Sequence, residues 1–199
     1  IVWSSFTSSF RGCTMLNGGS SANAPNLSIV TSLTQMFQGC ELFNQAIGDW
    51  DVSNVTNMNQ MFRDADDFNQ PIGDWNTSSV TAMDLMFRDA ASFDQPIGNW
   101  NTSNVTTIEQ MFRGADSFDQ SAGNWDITSV TNAADFMNGI TLSTANYDAT
   151  LIGWAAQSPT TGLTISFGSS KYTNSGAALA ARNTLTTTYT WNITDGGGI

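Results

Sequence analysis

A repeat of 25 residues constrains this chain more strongly than any other feature of its sequence. Phenylalanine, tryptophan, glycine and a Met-Phe pair each return at this spacing. The columns are Phe43, Phe68, Phe93 and Phe118; Trp50, Trp75, Trp100 and Trp125; Gly48, Gly73, Gly98 and Gly123; and Met-Phe at 36–37, 61–62, 86–87 and 111–112. The segment 6–13 is a degenerate earlier copy. Units this short cannot bury an apolar face alone, so they must stack and share one core.

The apolar spacing within one repeat predicts two kinds of local structure. Segment 55–66 carries apolar residues at the three- and four-residue spacing of one helix face. In the equivalent segment of a later repeat, Thr106 and Glu109 fit a capping box at the start of the helix. Segment 72–77 is typical of a short strand. These patterns predict an α/β fold, a right-handed leucine-rich-repeat-like β/α solenoid with parallel strands on one side and short helices on the other.

We expect the chain to divide into two parts. Residues 1–139 form the repeat solenoid, with a degenerate first turn over 1–29, and residues 140–199 form a C-terminal α/β cap. A solenoid exposes its core at each end, so an atypical terminal segment is expected to cover it. Within the cap the sequence predicts helices over 144–157 and 175–187 and strands over 163–167 and 189–193.

The charge balance excludes several classes of function. Acidic residues number 17 against 6 basic ones, the net charge is −11, and there is no histidine. Nucleic acids and anionic membranes both require a basic surface. Histidine-based triads and zinc sites are impossible. No P-loop or nucleophile elbow is present. We therefore expect a chain without enzyme activity, catalytic residues, cofactor or metal ion.

The N-terminal residues and the hydropathy bear on cellular placement. Residues 1–4 begin neither a basic n-region nor an apolar h-region, so the sequence predicts no signal peptide. The chain begins without an initiator methionine, so we expect a mature form or a piece of a longer protein. No stretch approaches the roughly 18–20 apolar residues of a membrane span. We therefore expect no membrane insertion.

One repeat resembles a known family. The segments 61–81 (MFRDADDFNQPIGDWNTSSVT) and 86–106 are similar to the repeat of BspA-like bacterial surface proteins, which occur as mycoplasma lipoproteins and in Bacteroidetes. The resemblance covers residues 27–137 well and 6–26 loosely. It implies a leucine-rich-repeat relative, secreted or on the cell surface, with an adhesive or unassigned binding role. It supplies no catalytic residues.

Three polar or aromatic columns have competing interpretations. The tryptophans favour core filling, with an aromatic ladder for sugars as the alternative. Asn44, Asn69, Asp94 and Asp119 favour a side-chain ladder that pairs buried backbone groups. The alternative is calcium, held by the aspartates at the same loop edge. Arg63, Arg88 and Arg113 favour solvated ion pairs, with Asp66 and Asp67 as partners of Arg63.

The two cysteines of the sequence have two possible interpretations. Cys13 and Cys40 occupy the column that Ala65, Ala90 and Ala115 fill in later repeats. They favour two buried apolar residues. A disulfide at the N-terminal end is the alternative, provided that the first turn brings them within about 7 Å.

The sequence points to a binding or adhesion module outside the cell or on its surface, with a protein or glycan partner. Repeated columns create extended surfaces that suit extended or multivalent ligands. The alternative is a passive spacer, filament subunit or appended domain of a larger surface protein. The candidate contact residues, on the exposed side of the short strands, are Asp49, Asp51, Asp74, Asn76, Asn99, Asn101, Asn124 and Asp126.

Overall fold

A computed structural model describes residues 5–16 and 24–199. Its regular elements lie in the C-terminal part and confirm the helix, strand, helix, strand order expected there. Parts of the expected first turn, 1–4 and 17–23, lie outside the described residues. The elements are helix α1 (Thr144–Ala155), strand β1 (Thr164–Ser166), helix α2 (Gly176–Asn183), a π-helical segment (Thr184–Thr188) and strand β2 (Asn192–Thr194). Strands β1 and β2 are parallel, with Ile165 opposite Ile193.

The prediction of a right-handed leucine-rich-repeat-like β/α solenoid is wrong. Between residues 24 and 143 the structure contains no helix and no strand, only turns and isolated single-residue bridges. The segment predicted as a helix, 55–66, consists of turns. The segment predicted as a strand, 72–77, also contains no strand.

The direction of successive backbone amides explains why the helix does not form. The N–H groups of Met61 and Arg63 close turns onto the carbonyls three residues earlier, both at 3.2 Å. Those of Gln60, Phe62 and Asp64 instead donate to the next repeat, each at 2.9 Å. Gln60 and Asp64 also have φ values of 58° and 56°. Beyond its first turn, a helix requires every amide to bond within its own segment, and its φ values are negative.

Single parallel bridges join the repeats into a stack. They pair Ser5 with Ser32, Ser32 with Asn57, Asn57 with Ala82, Ala82 with Thr107, and Thr107 with Asn132. The predicted capping box at Thr106 and Glu109 is absent because no helix begins there. Both the N–H and the hydroxyl of Thr106 donate to the carbonyl of Thr81 in the preceding repeat, at 2.9 and 3.1 Å.

Parallel columns of aromatic rings fill the core of the stack. Phe62 and Phe87 stack with ring centroids 5.6 Å apart, Phe68 and Phe93 at 6.0 Å. The two columns also touch, since Phe62 and Phe68 lie 4.0 Å apart. All four rings are completely buried. Each buried phenylalanine contributes about 2–3 kcal/mol by leaving water.

The ring order changes where the repeats meet the C-terminal elements. Phe136 turns its ring 74° from that of Phe112, ending the parallel column. Trp154 of α1 continues the role of the repeat tryptophans, since its Nε1–H donates to the Ala122 carbonyl at 2.8 Å. The β1 residue Ile165 forms a parallel bridge with Ala133. The division at 139/140 and the capping role of 140–199 stay predictions.

The glycine column marks where neighbouring repeats come closest. A Cβ atom on Gly48 or Gly73 would lie 2.5 or 2.4 Å from the carbonyl oxygen of Pro71 or Pro96. Gly98 is different, because its nearest neighbour, the Ser121 carbonyl oxygen, would be 3.5 Å away. None of the three glycines has a φ in the left-handed region. Steric space alone therefore distinguishes Gly73 from Gly98.

We expect Gly73→Ala to lower the free energy of unfolding by about 1–3 kcal/mol, because two repeats must separate to admit the methyl group. Gly98→Ala is the matched control in the same column. It should be neutral or raise stability by up to about 1 kcal/mol through the lower entropy of the unfolded chain. Urea unfolding followed by tryptophan fluorescence measures both. Equal effects of the two substitutions would refute the close approach.

Candidate binding groove

A shallow groove runs across successive repeats beside the glycine column. One part is lined by Gly48, Pro71, Gly73, Asp74, Pro96 and Asn99. The adjoining part is lined by Ala24, Ala46, Gly48, Asp49, Trp50 and Pro71. Because the two parts share Gly48 and Pro71, they form one surface, which we call the glycine groove.

The structure divides the eight predicted contact residues into two rows. None lies on a strand, so their predicted place on a strand face is wrong. Asp49, Asp74 and Asn99 line the glycine groove and are exposed. Asn124 is exposed at the equivalent position of the next repeat. These four residues make no hydrogen bond or ion pair to another described residue.

The second row, Asp51, Asn76, Asn101 and Asp126, supports the backbone of its own turn. The Oδ1 atom of each accepts the N–H two residues ahead, at 3.1 Å in Asp51 and 2.9 Å in Asp126. The hydroxyl and N–H of Ser53 hold the pKa of Asp51 below its usual value. Thr128 lowers the pKa of Asp126 in the same way. The main role of these side chains is to stabilise the turns in which they lie.

The tryptophan column belongs to the core. Trp75, Trp100 and Trp125 are buried, and their ring Nε1–H groups donate to carbonyls of the preceding repeat at 3.0–3.1 Å. The core-filling interpretation is confirmed for these three residues. Trp50 is only half-buried and contributes to the glycine groove.

The Asn/Asp column forms the predicted structural ladder. The Oδ1 atom of Asn69 accepts the N–H of Asp94 at 3.0 Å and the Nε2–H of Gln95 at 2.8 Å. The Oδ1 atom of Asp94 likewise accepts the N–H of Asp119 and the Nε2–H of Gln120. The ladder ends at Ser143, whose N–H donates to Asp119 Oδ1 at 2.7 Å. It thus ties each repeat to its neighbour.

Burial and hydrogen bonding oppose each other at the last member of this ladder. Burial acts to raise the pKa of Asp119. Hydrogen bonds from Ser143 and Asn146 outweigh it, so the pKa is lower than usual. The carboxylate therefore stays ionised as an acceptor for the residues that begin α1.

We expect Asn69→Ala to lower the free energy of unfolding by about 1–3 kcal/mol, because two donors lose their acceptor. Asn69→Asp should largely restore stability, since aspartate serves as the acceptor at position 94. The control is Asn99→Ala, which removes an exposed amide of the glycine groove. It should change stability by less than about 0.5 kcal/mol. Urea unfolding at neutral pH is the measurement. An Asn69→Ala effect no larger than that of Asn99→Ala would show that the ladder is not stabilising.

Acidic charge is also concentrated around Asp66. Asp66 is exposed, but slight desolvation raises its pKa, and the charges of Glu41, Asp64, Asp67 and Asp89 raise it further. Within 5–16 and 24–199, no group of three or more Cys, Asp or Glu residues is placed to hold a metal ion. The structure therefore gives the calcium alternative no support.

We expect Asp66→Asn to stabilise the protein slightly at about pH 7 and not at about pH 3. A raised folded-state pKa means that the charged form is disfavoured in the folded protein. The cost is present above that pKa, and it vanishes once the carboxyl is protonated in both states. Asp116→Asn is the matched control, because Ala91 and Thr141 flank Asp116 in the column where Glu41 and Ala91 flank Asp66.

Urea unfolding at both pH values, at low and high salt, tests this expectation. Salt should reduce the gain from Asp66→Asn, because the charges are exposed to solvent. A gain that persists at the acidic pH would contradict the electrostatic explanation.

Arg63 and Arg88 of the arginine column form ion pairs, although with other partners than expected. Arg63 Nε lies 3.2 Å from Asp64 Oδ2, and Arg88 Nε lies 3.0 Å from Asp89 Oδ2. The predicted pairing of Arg63 with Asp66 and Asp67 assumed a helix and is wrong. These ion pairs are partly exposed and contribute little.

Sequence reasoning missed a buried polar cluster in the C-terminal part. Asp195 accepts Nε–H of Arg182 and the hydroxyl of Tyr147, both at 2.8 Å. The hydrogen bond to Asp195 is the main cause that raises the pKa of Arg182. The guanidinium also lies 5.0 Å from the Tyr172 ring centroid. The cluster joins α1, α2 and the C-terminal segment. These residues are far apart in sequence and belong to no repeat, so no pattern revealed them.

The comparison with protein families identifies the relatives of this chain. The family described as "Mycoplasma protein of unknown function, DUF285" matches residues 4–99 and 31–154. The chain belongs to this family. Membership of DUF285 confirms the expected resemblance to a mycoplasma protein family. It does not single out BspA-like proteins. No curated protein and no solved structure matches the chain. In the part that the structure describes, no helix has the length and apolarity needed to cross a membrane.

Proposed function

We propose that this DUF285 chain is a binding module, outside the cell or on its surface, that holds an extended segment of a partner in the glycine groove. The observation that carries the proposal is the pair Asp49 and Asp74, exposed at successive repeats. Neither carboxylate has a hydrogen bond or ion pair with another described residue, so each is available to a partner. The chain carries a net charge of −11. Charge complementarity therefore favours a protein segment with Lys or Arg side chains.

The spacing of equivalent side chains in successive repeats supports an extended ligand lying along the stack. Equivalent rings in successive repeats lie 5.6 Å apart for Phe62 and Phe87 and 6.4 Å apart for Trp75 and Trp100. Alternate side chains of an extended peptide are about 6.6 Å apart on one face. A peptide running along the groove thus brings alternate basic side chains near successive aspartates.

A glycan is the second candidate partner. The half-buried Trp50 lines the groove together with Asp49. An aromatic surface next to a carboxylate offers both apolar contact and hydrogen bonding to a sugar. This arrangement occurs at one end of the groove, whereas acidic side chains line it at two successive repeats, at Asp49 and Asp74.

The proposal includes no catalytic step. The acidic residues recur from repeat to repeat, whereas catalytic carboxylates are pairs whose environments push their pKa values apart. The competing proposal is a passive spacer or appended domain of a larger surface protein, which needs no ligand. A binding measurement distinguishes the two.

We expect the chain to bind immobilised extended peptides with lysine at alternate positions and not the matched glutamate peptides. The double variant Asp49→Asn/Asp74→Asn should weaken binding about fivefold to tenfold, as expected for two exposed charge pairs. Asp67→Asn/Asp116→Asn is the matched control, because it removes the same net charge outside the groove. Surface plasmon resonance at low and high salt measures these affinities, and high salt should weaken binding.

A parallel panel of neutral and charged glycans, with and without calcium, covers the second candidate. Salt-insensitive binding to a neutral glycan, lost in Asn99→Ala, would replace the peptide by a sugar in the same groove. Equal weakening by both double variants would indicate a general charge effect and refute the groove. If neither panel binds, the passive spacer becomes the better account.

A further inference from the structure

Two cysteines, Cys13 and Cys40, occupy equivalent positions in the first two described repeats. Cys40 is buried and its Sγ donates to the Phe10 carbonyl at 2.9 Å, whereas Cys13 is exposed. Both are free thiols in the structure. The expectation that both are buried is therefore wrong for Cys13. Cys40 is covered by the first repeat, and Cys13 has no described repeat on its other side.

Hydrogen bonds between the two repeats bracket this pair. On one side the Gly12 N–H donates to the Gln38 carbonyl at 2.7 Å, and on the other the Leu42 N–H donates to the Thr14 carbonyl at 3.2 Å. Backbones bonded in this way lie about 4.8 Å apart. A disulfide needs Cα atoms about 4.4–6.8 Å apart. The separation of about 10 Å expected for helices is wrong here, because no helix forms.

The surroundings of the two sulfur atoms differ in access to solvent. Cys13 lies in an open depression lined by Gly12, Thr14, Met15 and Leu16, so a small molecule can reach it. Cys40 is enclosed, and burial raises the pKa of its thiol. One thiol is therefore placed to meet an oxidant, and the other to react only with its neighbour.

We propose that Cys13 and Cys40 are a disulfide-forming pair that fastens the first repeat to the second when the chain meets a small disulfide such as glutathione disulfide. The Cys13 thiolate attacks one glutathione sulfur, forming a mixed disulfide and releasing one glutathione. The Cys40 thiolate then attacks the Cys13 sulfur and releases the second glutathione. The two cysteine protons end on the two released thiols, so two cysteines are oxidised and one disulfide is reduced.

The bond would act where the stack is least supported. Within the part of the chain that the structure describes, the first repeat has a neighbour on one side only, and its Phe10 and Met15 side chains are exposed. Its hold on the rest is the stacking of Phe10 on Phe37 at 5.6 Å and the backbone bonds between the repeats. A covalent link restricts separation of the two repeats and the freedom of the unfolded chain. Extracellular conditions favour such a bond.

The test incubates the folded, reduced chain with glutathione disulfide at mildly alkaline pH, followed by acid quenching, intact mass and non-reducing peptide mapping. We expect loss of both thiols, a mass decrease of about 2 Da with no glutathione retained, and a Cys13–Cys40 linked peptide. The melting temperature should rise by about 5 °C. In concentrated urea, the second step should slow at least about tenfold, because the repeats no longer hold the sulfurs together.

Two variants serve as controls, and both place at the cysteine position the alanine that later repeats use there. Cys40→Ala should retain one glutathione on Cys13, and Cys13→Ala should leave Cys40 unmodified in the folded state. A stable glutathione adduct on Cys13 in the unaltered chain would overturn the proposal. So would linkage between chains only, equal rates in urea, or no reaction. A linked chain without any rise in melting temperature would overturn the fastening role.

Discussion

The alternation of backbone amides between two destinations underlies the whole repeat region. In the Met-Phe segment one N–H closes a turn, as at Met61, and the next donates to the neighbouring repeat, as at Phe62. The second set of bonds replaces the sheet and helix ladders that usually satisfy buried backbone groups. It also brings equivalent side chains directly above one another. The ring columns, the Asn/Asp ladder and the glycine contacts all depend on this stacking.

The sequence predicted which side chains enter the core. It did not predict which acceptors the backbone N–H groups use. Met58, Met61, Phe62 and Ala65 are all buried, as their spacing indicated. That spacing is shared by a helix and by consecutive turns, because both return a side chain to one face every three to four residues. The left-handed φ of Gln60 distinguishes consecutive turns from a helix, and glutamine is not a residue type that indicates such a φ. In the C-terminal part, where no repeat interrupts the helix signals, α1 and α2 were predictable.

The candidate site could be predicted only in part, because the repeat pattern indicates which residues are exposed and not how the repeats are set against each other. Recurrence placed Asp49 and Asp74 on the surface, and both line the glycine groove. Recurrence did not separate them from Asp51, whose carboxylate serves its own turn. The groove itself follows from the approach of Gly73 to the Pro96 carbonyl. Such an approach depends on how repeats are set against each other, which a single repeat does not encode.

The fixed spacing of the bridges restricts how chains of this kind can change in length. Each bridge from Ser32 to Asn132 joins residues one repeat apart. Adding or removing a whole repeat keeps every donor opposite its acceptor, whereas a change of one residue displaces all the bonds along one junction. The two-residue offset between Ser5 and Ser32 is confined to the first junction. Recombination between whole units would therefore lengthen the groove in discrete steps, giving related chains surfaces of different reach with the same local chemistry.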